Sequence, residues 1–329
     1  MRNIASKVQQ WLAAGESVAI ARIVEIEGFG SRRGGEAFAL NGANSAGQLL
    51  GGTADVVLRD AAANLDHGAI VVRVEIGDPV AVEAGLACGG AAVVLVQDAH
   101  SVPPPFWTAI GNRRPVALAT VIASGASLAI VDGATVGSLA NPGLEAVAVG
   151  RGAEMLVKGR SGSQVHEGLL IEVIVPIPHL LVLGTAELAG ALRRQGELLG
   201  WTVAVHDERV AGVTETAISL AEASGPQDAI VALSHDLAAS CAVLAAGLRS
   251  GAYVGALGSR GTQTKRAEVL ASVHGLSESA IAVVHGPVGL DLGARSPEET
   301  ALAIFAEVLS HRSGRSAASL RAGAGPING

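Results

Sequence analysis

Residues 179–209, HLLVLGTAELAGALRRQGELLGWTVAVHDER, decide the fold of the second half of this chain. HLLVL is a short apolar run that suits a strand buried on both faces. Gly184 ends it with a residue that tolerates the tight turn from strand to helix. AELAGALRRQGELLG repeats apolar residues at helical spacing, and WTVAVHD returns to a strand. This is a βαβ unit, the building block of parallel sheets with crossover helices. Asp207 follows Gly184 by 23 positions, at the end of the second strand. In a dinucleotide-binding unit a carboxylate there accepts hydrogen bonds from the adenosine ribose, and the helix start offers free N–H groups to phosphate. The glycine pattern is incomplete. Where G-x-G-x-x-G/A is expected, the chain has Gly184, Ala186 and Ala189, with Thr185 and Glu187 beside them. The Ala186 methyl fills space that lets backbone approach a pyrophosphate, and Glu187 adds negative charge next to it. A structural βαβ unit, in which Gly184 only makes the turn, is the competing reading.

Downstream, short apolar runs alternate with Ala/Leu-rich helical patterns. ALSHDLAAS (232–240) leaves the strand AIVAL (229–233), and AYVGALGSRGTQTKR (252–266) runs from a strand into a loop. HGPVGLDLGARSPEE (285–299) is a loop ending in Ser296-Pro297-Glu298-Glu299, a helix N-cap with proline in the first turn. In an open α/β sheet the strand C-termini face the ligand crevice. His235, Asp236, Gly258, Ser259, Arg260, His285 and Asp291 are therefore expected to converge with Gly184, Thr185, Ala186, Asp207 and Arg209. Each of them alone also suits a helix cap or a surface position.

Upstream, Pro176 and Pro178 mark a boundary, and the preceding chain reads as strands separated by Gly, Asn and Asp turns: 18–26, 69–76, 91–97, 116–122, 127–131 and 169–175. The prolines at 103–105 divide this half again. VAIARIV (18–24) precedes GEAFALNGANSAGQL (35–49), and VALATVI (116–122) precedes ASLAIVDGATVGSL (126–139). That is the pattern of a duplicated strand–hairpin–helix unit, although such units are also common. Gly30 to Gly35 form a turn carrying Arg32 and Arg33. Paired guanidiniums there suit a phosphate or a carboxylate, or else a solvated hairpin tip. Cys88 lies in Ala-Cys-Gly-Gly just before a strand, and taken alone reads as an inert thiol. Cys241, inside the helical pattern LAASCAVLAAGL, reads as packing. The organisation expected is an N-terminal domain over 1–175, a second over 176–312, and a small, polar, disordered tail over 313–329.

Composition narrows the class. Of 329 residues 49% are apolar, yet only three Trp, four Phe and one Tyr are present, and Gly supplies 43. The core must be built from Ala, Val, Leu and Ile. No apolar run of membrane-spanning length occurs, and the opening MRNIASKVQQWLAAGES lacks the apolar core of a signal peptide. A net charge of −7 and the absence of a basic block argue against nucleic acid. Two distant cysteines fit a reducing cytoplasm rather than a disulfide scaffold.

The motifs HLLVLG…LGWTVAVHDER, LSHD, YVGALGSRGT and HGPVGLDLGARSPEETALAIFAEVL resemble the XdhC/CoxI family. FGSRRGGEAFAL (29–40), GQLLGGTADVVL (47–58) and GLACGGAAVVLV (85–96) extend the resemblance over residues 4–312. It implies an α/β protein: a β-rich α+β N-terminal XdhC/CoxI domain followed by a Rossmann-like parallel sheet with helices. It also implies an accessory role in the maturation of molybdenum hydroxylases such as xanthine or carbon monoxide dehydrogenase. Such a protein binds a molybdopterin-type molybdenum cofactor, protects it, helps sulfurate it and delivers it to the apoenzyme; it is not a turnover enzyme. A cysteine desulfurase partner and a homodimer go with that role. Cys88, with Gly89, maps to a Cys-Gly-Gly of the family and becomes a candidate contact to molybdenum. With so few rings to stack a pterin, backbone N–H groups, Arg32 and Arg260 would hold it. The chain departs from the family at Thr53, where a Cys is usual, and at Ala186 and Glu187, where Gly-His is usual. Two alternatives stay open: an NAD-dependent oxidoreductase built on Gly184 and Asp207, and a divergent scaffold that keeps no ligand.

Overall fold

The computed structural model describes residues 1–29, 36–65 and 68–322. The chain forms two compact units, Met1–Pro176 and Ile177–Gly329. In the first, α1 (Arg2–Ala13), β1 (Ala19–Gly28), β2 (Ala37–Asn41), β3 (Asn44–Gly47), α2 (Asp55–Ala63), β4 (Ala69–Ile76), α3 (Asp78–Glu83) and β5 (Gly90–Asp98) come first. They are followed by α4 (Pro104–Gly111), β6 (Val116–Val121), β7 (Ser127–Val131), β8 (Ala134–Gly137), α5 (Pro142–Val157), β9 (Gly162–His166) and β10 (Leu169–Ile174). The strands read from the sequence are present within two residues at each end.

They pair into two five-stranded sheets, ordered β3-β2-β1-β5-β4 and β8-β7-β6-β10-β9. Place for place the two orders are the same, and each sheet is preceded by a helix, α1 or α4. All the pairs are antiparallel. One face of each sheet packs on the helix within it. Phe38, Leu40, Val74 and Val94 meet Leu58 of α2. Leu128, Ile130, Leu169 and Ile171 meet Ala148 of α5. The other faces share a single core, in which Ile4, Val8 and Trp11 of α1 and Phe106 and Trp107 of α4 join Val18, Ile20, Val116 and Leu118. The helical spacing of Ile4, Val8 and Trp11 is what presents one apolar stripe of α1 to that core.

A polar seam crosses the same region. Arg22 of β1 is fully buried and ion-pairs with Glu172 of β10, while its Nη2 donates to Thr120 Oγ1 at 3.2 Å. Thr120 and Ser127 hydroxyls lie 3.1 Å apart, and Gln97 Nε2 donates to Ser127 Oγ at 3.1 Å. Such a network adds little net stability, but removing one partner leaves an uncompensated buried charge.

In the second unit, β11 (His179–Leu183), α6 (Glu187–Leu198), β12 (Thr202–His206), α7 (Val213–Glu222), β13 (Ala229–Ala232), α8 (Leu237–Ser250) and β14 (Tyr253–Ala256) alternate. Then come α9 (Arg260–Ser272), α10 (Glu278–Ile281) and α11 (Pro297–Ser313). The four strands are parallel and ordered β12-β11-β13-β14. A parallel bridge between Gly255 and His285 extends the sheet beyond β14. The order reverses direction at β11, so the switch-point crevice lies at the C-terminal ends of β11, β12 and β13. Ser296 caps α11 with Pro297 in the first turn, as the sequence led us to expect, and also forms a reciprocal capping box with Glu299. Helix α11 stops at Ser313 with Gly314 in the left-handed conformation, and a 3-10 turn spans Leu320–Ala322. Residues 323–329 of the expected tail lie outside the described residues. No helix among the described residues is long and apolar enough to cross a membrane.

Candidate functional site

Two repeats with one topology differ in two connections. In the second repeat β6 joins β7 through residues 122–126, and β9 joins β10 through residues 167–168. In the first, β1 joins β2 through residues 29–36, and β4 joins β5 through residues 77–89, which include α3. The described start of the first, Phe29, meets the end of the second. The Phe29 N–H donates to the Gly89 carbonyl at 3.1 Å, and the Gly89 N–H donates to Asp78 Oδ1 at 2.7 Å. A Cβ on Gly89 would stand 2.4 Å from the Ile76 carbonyl oxygen, so only glycine permits this approach. The Gly51-Gly52-Thr53 turn packs on the same excursion, since a Cβ on Gly51 would lie 2.6 Å from the Ala84 carbonyl oxygen.

Cys88 sits at the end of this excursion as a half-buried free thiol. Thr53 donates its hydroxyl to the Leu50 carbonyl at 2.7 Å. Helix α2 begins next to it without a side-chain cap. Asp55, its first residue, keeps Oδ1 buried with no hydrogen-bond partner, and burial pushes its carboxyl upward. Sequence reading passed over Asp55 as a site residue; the signal available was an acid just after a Gly-Gly turn. Arg32 and Arg33 lie outside the described residues.

In the second unit the β11, β12 and β13 ends come together as the βαβ reading requires. Gly184 leaves β11 at φ +120°, with the place of a Cβ 3.0 Å from Leu233 Cβ, so the turn is closed to other residues. Arg209 folds back onto Asp207: Nε reaches Oδ1 and Nη2 reaches Oδ2, both at 2.8 Å. The same Nη2 donates to Thr185 Oγ1 at 2.8 Å. These bonds hold the Asp207 carboxyl below its ordinary range. Glu208, which sequence reading did not single out, accepts from Ser234 Oγ at 2.5 Å, and its Oε2 is buried with no hydrogen-bond partner. Ala186 occupies the N-cap of α6 and Glu187 its first turn, both exposed.

The remaining candidates divide. His235 and Asp236 are exposed at the β13 end, where Asp236 caps α8 by accepting from the Ala239 N–H at 3.0 Å. Gly258, Ser259 and Arg260 follow β14, and Ser259 caps α9. His285 does not join them. Its ring stacks on Tyr253, the first residue of β14, with centroids 4.4 Å apart, and its Nδ1 lies 3.1 Å from Glu307 Oε1. Glu307 also accepts from Tyr253 Oη at 2.8 Å and the Gly289 N–H at 2.7 Å. Burial favours the neutral acid, but these hydrogen bonds outweigh it and bring Glu307 to about 2. The His285 motif thus pins its loop to α11. Asp291 is exposed farther along that loop. Cys241 is fully buried within α8, as expected of a packing residue.

Residues 180–308 match the family model of the XdhC Rossmann domain. The C-terminal unit carries an XdhC Rossmann domain. The match runs from β11 into α11, so the XdhC domain contains the whole crevice and the Glu307 anchor. Across the full length, the chain is similar in fold to a Bacillus halodurans protein whose crystal structure is described as that of a xanthine dehydrogenase. The likeness covers 96% of this chain and 98% of that one, at 17% identity and a TM-score of 0.52. No curated protein matches the chain.

Proposed function

We propose that this protein is an accessory factor that binds a molybdopterin-type molybdenum cofactor in its first repeat and delivers it to a molybdenum hydroxylase apoenzyme. The XdhC domain and the full-length likeness in fold support that class of role. The observation that carries the location is the contact of Phe29 with Gly89 of the 77–89 connection, beside the Gly51–Thr53 turn.

The donor set there suits the cofactor. Cys88 supplies a soft sulfur of the kind molybdenum–sulfur centres accept. Asp55 offers a carboxylate oxygen that has no partner. The cofactor, when bound, would bring an exchangeable sulfur ligand on molybdenum. Thr53 is a harder donor already used on Leu50, so Cys88 acts without a second thiol. Arg32 and Arg33, outside the described residues, stay the candidates for the cofactor's phosphate. Protection of the cofactor, help with its sulfuration by a cysteine desulfurase, and action as a cytoplasmic homodimer complete the role. It is binding and delivery, without turnover of a metabolite.

The test is co-expression with a molybdenum hydroxylase lacking its own accessory factor. Molybdenum content and activity of the purified hydroxylase should rise with this protein and fall back with Cys88→Ser. Equal loading with and without the protein would overturn the role.

A further inference from the structure

A Rossmann unit suggests a bound dinucleotide, and the crevice of this one can be compared with that ligand atom by atom. In a dinucleotide site the pyrophosphate crosses the glycine turn of the first strand, and the ribose hydroxyls meet the acid at the end of the second. Here the first strand is β11 and lies between β12 and β13. A side chain reaching from the end of β12 to the end of β13 must therefore cross the C-terminal end of β11. Glu208 does this. It follows β12 and accepts from Ser234 Oγ, after β13, at 2.5 Å. The backbone N–H of Ser234 donates to the Leu183 carbonyl, which places that end against the Gly184 turn. A carboxylate of the protein thus stands where a phosphate would cross.

The ribose position is occupied as well. Both oxygens of Asp207 accept from Arg209, and Arg209 continues to Thr185 Oγ1 on the turn itself. Ala186 and Glu187 add a methyl group and a negative charge at the start of α6. We infer that the XdhC domain of this chain does not take NAD or a related dinucleotide, because Glu208 fills the pyrophosphate crossing and Arg209 fills the ribose position. The crevice holds its own side chains in place of the ligand. The conclusion concerns the C-terminal unit alone and stands apart from cofactor binding in the first repeat. It also removes the ground for reading the chain as an NAD-dependent oxidoreductase.

Calorimetry on the full-length protein decides it, with NAD, NADP and ADP-ribose as titrants. The wild type is expected to give no saturable heat at about 1 mM ligand. Glu208→Ala/Arg209→Ala, which clears both positions, is expected to bind ADP-ribose at least about tenfold more tightly than the wild-type limit. Glu208→Gln keeps a group that reaches Ser234 and should stay as silent as the wild type. Should the double variant lose its cooperative thermal transition, Glu208→Ser/Arg209→Ser, which shortens both side chains but keeps them polar, takes its place with the same gain expected. Saturable binding by the wild type, or a folded opened variant as silent as the wild type, would overturn the inference.

Discussion

The two repeats of the N-terminal unit share a strand order, a helix ahead of the first strand and a helix over one sheet face, yet they finish their loops differently. The second closes β9 to β10 with a two-residue turn, and its helix α5 is capped by Asn141, which accepts from the Gly143 and Leu144 N–H groups. The first lengthens two connections at one end, starts α2 without a side-chain cap, and keeps a thiol and an unsatisfied carboxylate oxygen there. One copy closes its turn and caps its helix locally, and the other leaves a buried carboxylate oxygen without a partner. Binding residues concentrate on loops held by a rigid frame, and duplication frees one set of loops for that use.

Breaking the shared seam has the largest expected effect. Glu172→Ala leaves the buried Arg22 uncompensated and should cost about 3–5 kcal/mol in urea unfolding. Arg22→Met/Glu172→Met should lose less than that, because neither charge is then stranded. Next comes a pair of glycines at equivalent connections. Gly89→Ala forces a Cβ to within 2.4 Å of the Ile76 carbonyl oxygen and should cost about 2–3 kcal/mol. Gly168→Ala has open space and only a left-handed φ of +77°, so about 1 kcal/mol is expected. Equal costs would mean that the first-repeat excursion is not packed as described. Asn141→Ala should cost about 1 kcal/mol by removing the α5 cap. Cys88→Ser should change stability least, by about 0.5 kcal/mol or less, while lowering hydroxylase loading. A large loss of stability there would make Cys88 a packing residue.

Much of the frame was legible in the sequence. Apolar runs between Gly, Asn and Asp turns located the strands, and the spacing of Gly184 and Asp207 gave the parallel unit because a βαβ element is local in sequence. The duplicated pattern could be seen from 18–24 and 116–122, but the identical strand orders could not. They depend on β1 pairing with β5, whose residues lie far apart in the chain, as with Ala19 and Asp98. The site was legible only in part. Cys88 stood out by residue type, whereas Asp55 matters because its environment leaves an oxygen buried without a partner. Glu208 escaped notice because its contact joins the ends of two strands separated by a helix. His285 was expected at the crevice because its motif follows a strand, but stacking on Tyr253 and bonding to Glu307 hold it elsewhere.

The most direct test of cofactor binding in the first repeat is purification of wild type and Cys88→Ser from a host that makes the molybdenum cofactor. Bound molybdenum and the fluorescent oxidised pterin are then assayed in both. The account predicts that both co-purify with the wild type and that molybdenum falls with Cys88→Ser while the protein stays folded. A wild type free of both, or a Cys88→Ser variant carrying as much molybdenum as the wild type, would contradict it.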